Sequence, residues 1–334
     1  MKINLVLSKP KLGILIIILF IGSTSCQKRD QHDDHSIVRF EKLVFSFPTS
    51  VLSDSIRIHH KELIPFFRVF NEEVIRIGPD TLPGYNEQLN RFVNDSLMNH
   101  VYQTITGSAG IYDKKCLEIR DALKRWSEKT GNAHPDYLVT FQSGFNQSFI
   151  ALPGILGIGI DHYLGADCNF YQGLGLPEYI RKDMKPENLP GDAVRAWVYS
   201  EIPAPSTDVV FLDRMIYEGM VYYITSRLLP EISEGVLFHY TEDQLRWCRS
   251  QEKAMWKYMA EQKVLFSSER LTIRKFIEEA PFTRDFGNES PGRVGTWIGF
   301  RIVSSYVKSS GISLSDLIKI SSAKEILSGS KYHP

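Results

Sequence analysis

The stretch Arg214-Met-Ile-Tyr-Glu-Gly-Met-Val-Tyr-Tyr223 places a carboxylate, Glu218, in a helix that reads as apolar nearly all round. Val209, Val210, Phe211, Leu212, Met215, Ile216, Met220, Val221 and Ile224 leave no polar face, the pattern of a helix lying in a core. A carboxylate there is costly unless it is partnered. Arg214, one turn earlier on the same face, is the expected partner, so a structural Arg214–Glu218 pair is the plainest reading. The chemical reading compares the helix with H-E-x-x-H, where two imidazoles hold zinc and the Glu between them activates water. Here Tyr217 and Val221 stand in the two ligand places. Valine has no donor atom, and a neutral phenol is a poor zinc ligand beside imidazole. No H-E-x-x-H occurs elsewhere, and neither His59-His60 nor the other histidines have a spacing that makes a set. No metal and no cofactor is therefore expected.

Two further stretches carry polar groups that could act. Asp161-His162 ends a short apolar run, Leu156-Gly-Ile-Gly-Ile, where an Asp beside a His can tune its proton affinity. The plainer reading is a turn held by the Asp161 and Asp167 side chains. In Ser290-Pro-Gly-Arg-Val-Gly-Thr-Trp-Ile-Gly-Phe-Arg-Ile-Val-Ser-Ser-Tyr306, Gly295 and Gly299 lie one helical turn apart, with Trp297, Ile298, Ile302 and Tyr306 as apolar neighbours. That spacing allows close approach of another helix and suggests packing rather than catalysis. The chain has no G-x-S-x-G elbow, phosphate-binding loop or complete dinucleotide glycine fingerprint.

The elements that must hold these residues are mostly helical. Residues 39–46 alternate like a strand. A long helical pattern covers 54–77, interrupted at Pro65, and helices are expected over 87–105 and 113–130, the latter ending at Gly131. The middle, 137–142, 147–152 and 156–161, reads as a small antiparallel meander. Helices return over 190–201, 208–228, 241–264, 270–278, 293–309 and 314–319. The expected fold class is α+β, predominantly helical with a small central antiparallel sheet.

The N-terminus has the layout of a signal peptide. Lys2, Lys9 and Lys11 precede the apolar stretch 13–21, then small residues 22–25, then Cys26. The apolar run is well short of the ~20 residues that span a bilayer. A Cys after small residues looks like a lipobox, so residues 1–25 are expected to be removed and Cys26 acylated, the diacylglycerol and palmitate chains giving lasting attachment to membrane lipid. Residues 26–37 read as the lipidated Cys and a polar tether, and 38–334 as one globular domain. The remaining cysteines, Cys116, Cys168 and Cys248, are odd in number and show no CxxC spacing. With 39 acidic and 39 basic residues there is no basic excess, so nucleic acid is excluded as a partner.

Several motifs in one order carry a more specific signal. "IGIDHYLGADCNFY", "RAWVYSEIP", "DRMIYEGMVYY" and "SPGRVGTWIGFRIVSSYVKSS", with the lipobox Cys, resemble the gliding-motility lipoprotein B (GldB) family of Bacteroidetes over residues 38–325. The resemblance implies a lipid-anchored lipoprotein of the cell envelope needed for gliding, its domain in the periplasm and its partners other envelope proteins of gliding or type IX secretion. That family is also similar to gluzincin-type zinc peptidases, whose metal helix would fall on Tyr217–Val221. The expected protein is thus a non-catalytic pseudo-peptidase with a degenerate gluzincin-like scaffold. The alternatives are an atypical hydrolase using Glu218 with Asp161 and His162, or a peptide- or glycan-binding module.

Overall fold

The structure, a computed structural model, describes residues 5–7, 37–206 and 209–334. The basic and apolar parts of the expected signal peptide, Cys26 and the tether up to residue 36 lie outside the described residues, apart from a strand at Leu5–Leu7. Among the described residues no helix is long and apolar enough to cross a membrane.

Five strands form one sheet: β1 (Leu5–Leu7), β2 (Ile37–Arg39), β3 (Tyr137–Phe141), β4 (Phe149–Leu152) and β5 (Ile155–Gly159), in the order β1-β4-β5-β3-β2. The helices before β3 are α1 (Phe40–Ser46), α2 (Thr49–His59), α3 (Ile64–Val69), α4 (Tyr85–Asn94), α5 (Ser96–Gly107) and α6 (Ala109–Thr130). After β5 come α7 (Asn169–Gly173), α8 (Glu178–Arg181), α9 (Leu189–Glu201), α10 (Phe211–Leu228) and α11 (Glu234–Phe238). The chain finishes with α12 (Glu242–Glu261), α13 (Arg270–Ile277), α14 (Val294–Ser310), α15 (Leu314–Leu317) and α16 (Ala323–Ser330).

The α+β class holds, but the sheet is mixed and not an antiparallel meander. Only β4 and β5 pair antiparallel, through a tight turn with Gly154 at φ 75°. β3 runs parallel to both β5 and β2. The chain leaves β3, crosses the end of β5 and returns on its far side as β4. Strands buried on both faces read as continuous apolar runs rather than alternations, and every residue of β4 and β5 is buried. The faces still divide two cores. Leu138, Phe149, Leu156 and Ile158 join the larger one with α6, α9, α10 and α14. Val139, Phe141, Ile150 and Ile155 join the smaller one, built on Phe40, Phe66, Phe67 and Phe70 in edge-to-face contacts.

Three boundaries differ from expectation. Residues 40–46 are helical, because Phe40 and Val44, four apart, both enter the smaller core. The 87–105 pattern is broken at Asp95, whose carboxylate accepts from Met98 N at 3.0 Å and starts α5. The 54–77 pattern divides around His60 and resumes with Pro65 in the first turn of α3, where a missing N–H costs nothing. Cys116, Cys168 and Cys248 are free thiols.

Candidate functional site

Four helices bring an unusual amount of charge into the larger core. α9 is apolar through Ala193, Val194, Ala196 and Val198, yet it carries Asp192, Arg195 and Tyr199 at helical spacing along one face. α10 offers Glu218 and Tyr222, four apart, to the same region. The end of α11 supplies His239, and the start of α14 supplies Arg293. His239 and Arg293 both sit in the left-handed backbone region, at φ 56° and 60°. Non-glycine residues persist there only when their surroundings hold them, and such strain gathers at functional sites.

Asp192 is the hub. Its Oδ2 accepts from Tyr163 OH at 2.9 Å, and its Oδ1 accepts from Arg195 Nη2 in a short contact. Arg195 also donates to Leu237 O at 3.0 Å, and its guanidinium lies 4.5 Å over the Tyr222 ring. Burial alone would raise the Asp192 carboxyl, but His239 and Arg195 overrule it and hold the group well below the ordinary carboxylate range. His239 stands on the other side, Nε2 3.0 Å from Asp192 Oδ1 and Nδ1 3.7 Å from Asp183 Oδ2. Neither ring nitrogen is aligned to make a hydrogen bond. Burial lowers the proton affinity of His239, against the pull of Asp192. Arg293 donates to Tyr222 OH at 2.9 Å and Phe238 O at 2.7 Å, and its Nη1 lies 3.6 Å from Glu279 Oε1. Asp183, His239 and Glu279 face one cleft, bordered by Lys182, Tyr240 and Arg293. One ligand atom from each of the three lies within 4.8 Å of the others, the one such group of metal-ligating side chains among the described residues.

Glu218 sits beside this network. Its main partner is Tyr199, whose hydroxyl donates to Oε2 in a short contact; Arg214 Nη1 is 3.9 Å from Oε1, a looser pairing than the sequence suggests. Burial raises the Glu218 carboxyl above its ordinary value, opposed by the Tyr199 hydrogen bond and by Arg214. Tyr217 spends its hydroxyl on Ile202 O at 3.2 Å, and Val221 is fully buried among apolar neighbours.

Asp161 does other work. Its carboxylate accepts from Ser143 N at 2.9 Å, Phe145 N at 2.7 Å and the Ser143 hydroxyl, latching the 142–148 connection where it crosses β5. The adjacent His162 is buried with its ring at 66° to that of Phe145, and burial lowers its proton affinity. Among the described residues, the contacts of Asp161 and His162 lie with the 142–148 connection and those of Glu218 with Tyr199 and Arg214. Asp167 lies in the turn that follows. Gly295 and Gly299 face α10 and its surroundings: a Cβ on Gly299 would meet Met215 O at 2.0 Å, and one on Gly295 would meet Phe211 at 2.9 Å.

The reading of single motifs missed Asp183, Asp192, Arg195, His239, Glu279 and Arg293 as a group. A signal exists for part of it. Asp192, Arg195 and Tyr199 recur at helical spacing on an otherwise apolar helix, the same pattern that drew attention to Glu218. Asp183, His239 and Glu279 lie far apart in sequence, on loops that only the fold brings together.

No curated protein and no solved structure matches this chain. The family model described as gliding motility protein GldB matches residues 25–334, starting one residue before Cys26 and running to the end, and the chain accordingly belongs to that family.

Proposed function

We propose that this gliding-motility lipoprotein works as a non-catalytic component of the cell envelope, anchored to membrane lipid through acylated Cys26 and facing other envelope proteins of the gliding or type IX secretion apparatus. The observation that carries the non-catalytic reading is the state of α10. At the two places where a zinc-peptidase helix has imidazoles, one side chain is a hydrocarbon in the core and the other is a phenol whose hydroxyl is committed to Ile202 O. The glutamate between them accepts from the Tyr199 hydroxyl. A helix of this kind fits a degenerate gluzincin-type scaffold that keeps its packing and lacks its reagent.

The competing reading is an envelope hydrolase. One observation favours it: a buried carboxyl with a raised proton affinity is the form in which a general acid or base is held. Spreading on agar separates the two when allelic replacements are compared at matched protein level. Glu218→Gln is expected to spread normally, and Cys26→Ala is expected to mislocalise the protein and abolish spreading. Loss of spreading by Glu218→Gln, with abundance and thermal stability no lower than the parent's, would overturn the non-catalytic reading. Normal spreading by Cys26→Ala with the protein released from membranes would overturn the anchoring.

A further inference from the structure

We infer that Asp183, His239 and Glu279 form a binding site for a divalent transition-metal ion of the zinc class, separate from the α10 helix on which a peptidase ion would sit. One imidazole and two carboxylates are a donor set that zinc accepts. Their ligand atoms already stand within 4.8 Å of one another. In a tetrahedral set with zinc–ligand bonds of about 2.0–2.2 Å the ligand atoms stand about 3.4 Å apart, so closing the set takes shifts of up to roughly an ångström, within reach of side-chain rotation.

The second observation is His239 itself. The residue is only 8 % exposed, it lines the cleft, and its Nδ1 has no hydrogen-bond partner. A buried imidazole nitrogen without a partner is costly, and a cation bound at Nδ1 removes that cost. The opposite ring nitrogen faces a carboxylate. Nε2 lies 3.0 Å from Asp192 Oδ1, off the ring's N–H direction, and a modest turn of the ring aligns it. That contact puts the ring proton on Nε2 and the lone pair on Nδ1, facing Asp183. A carboxylate behind a histidine is the usual outer support of a metal-bound imidazole. Asp192 is itself fixed by Tyr163 and Arg195. His239 lines the cleft from the end of α11, in left-handed backbone at φ 56°.

Arg293 is the charge that competes. It is held by Tyr222 and Phe238, and its Nη1 lies 3.6 Å from Glu279 Oε1, a contact that a bound cation would take over. The ion would tie together three segments that no strand joins: the loop before α9, the end of α11 and the loop after α13. The remaining position faces the cleft, where water can complete a tetrahedral set.

The test uses the full chain purified in detergent, stripped with chelator and carrying His32→Gln and His35→Gln so that tether imidazoles cannot bind. Titration with Zn2+, and with Co2+ as a spectroscopic probe, is expected to show one saturable site per chain that excess Mg2+ does not compete away. Asp183→Asn and Glu279→Gln should each weaken it at least 100-fold. Asp192→Asn, acting through the ring, should weaken it roughly 10–100-fold. His59→Gln, on the exposed surface, should leave it unchanged. Anomalous scattering from crystals of the background chain grown with Zn2+ locates the ion without relying on how any variant folds. A peak between the three side chains is expected. No saturable binding, binding undiminished by Asp183→Asn and Glu279→Gln, or peaks only at other places would each overturn the site.

Discussion

A Cβ built on Gly219 would stand 2.1 Å from the carbonyl carbon of Gly299, so these two glycines hold α10 and α14 backbone against backbone. This contact fixes the distance between the helix that carries Glu218 and Tyr222 and the helix that begins at Arg293. It makes the hydrogen bond from Arg293 to Tyr222 possible at 2.9 Å. The Arg293–Tyr222 link between the two helices therefore relies on two missing side chains.

Gly219→Ala should destabilise the domain by about 2 kcal/mol or more. The added methyl has only backbone to push against, and overpacking typically costs ~1–3 kcal/mol. Helix propensity points the other way, favouring Ala by ~1 kcal/mol, so the sign of the result decides which effect wins. Gly110→Ala supplies the comparison, because a Cβ there meets nothing within 4 Å. It should be neutral or stabilising by up to ~1 kcal/mol. Urea unfolding of both variants checks this, and a Gly219→Ala protein as stable as the parent would refute the contact.

Glu218 should give the domain a pH-dependent weakness. Its folded-state pKa lies above the ordinary value of 4.5, so folding favours the protonated form. The unfolded chain gives up that proton first as pH rises, and stability falls between the unfolded and folded pKa values. Glu218→Gln keeps an acceptor for Tyr199 and removes the charge. Its melting temperature should exceed the parent's at pH 7, and the gap should close below about pH 4.5, where both states of the parent carry the proton. A constant gap across this range, or a variant less stable at pH 7, would contradict the raised pKa.

Asp161→Ala should unlatch the 142–148 connection. It strands the N–H groups of Ser143 and Phe145, which both donate to the Asp161 carboxylate. A buried donor without a partner costs about 1–3 kcal/mol, so a loss of roughly 3 kcal/mol is expected. Amide exchange should accelerate first at Ser143 and Phe145. Unchanged protection at those two amides would remove the latch from consideration.

How much of this was legible in the sequence depended on the range of the interactions. Gly295 and Gly299 announce a close helix contact because the whole signal lies within one turn of one helix. The buried charge of α10 is readable for the same reason, although its chief partner, Tyr199, is on another helix and is not. Arg214 was the only cation that local spacing could nominate, and it sits 3.9 Å away. The parallel pairing of β3 with β5 was hidden because strand direction depends on where 142–148 crosses, and that crossing is held by Asp161 from beyond β5. Residues 40–46 satisfy both a strand and a helix pattern, and burial of Phe40 with Val44 decides between them.

Asp192 gives the sharpest test of the network as a whole. Asp192→Ala leaves the Arg195 guanidinium buried with only Leu237 O as a hydrogen-bond acceptor and the Tyr222 ring beneath it. Removing one partner of a buried ion pair typically costs about 3–5 kcal/mol, more than the pair itself contributes, because the surviving charge is uncompensated. Replacing Arg195 with Met in the same chain removes that charge while keeping a flexible apolar stem of similar reach. The Asp192→Ala, Arg195→Met double variant should therefore be more stable than Asp192→Ala alone, a non-additivity readable from urea unfolding of the parent, both singles and the double. Additive losses would mean that Arg195 is stabilised by its ring and carbonyl contacts alone, and that Asp192 serves only Tyr163 and His239.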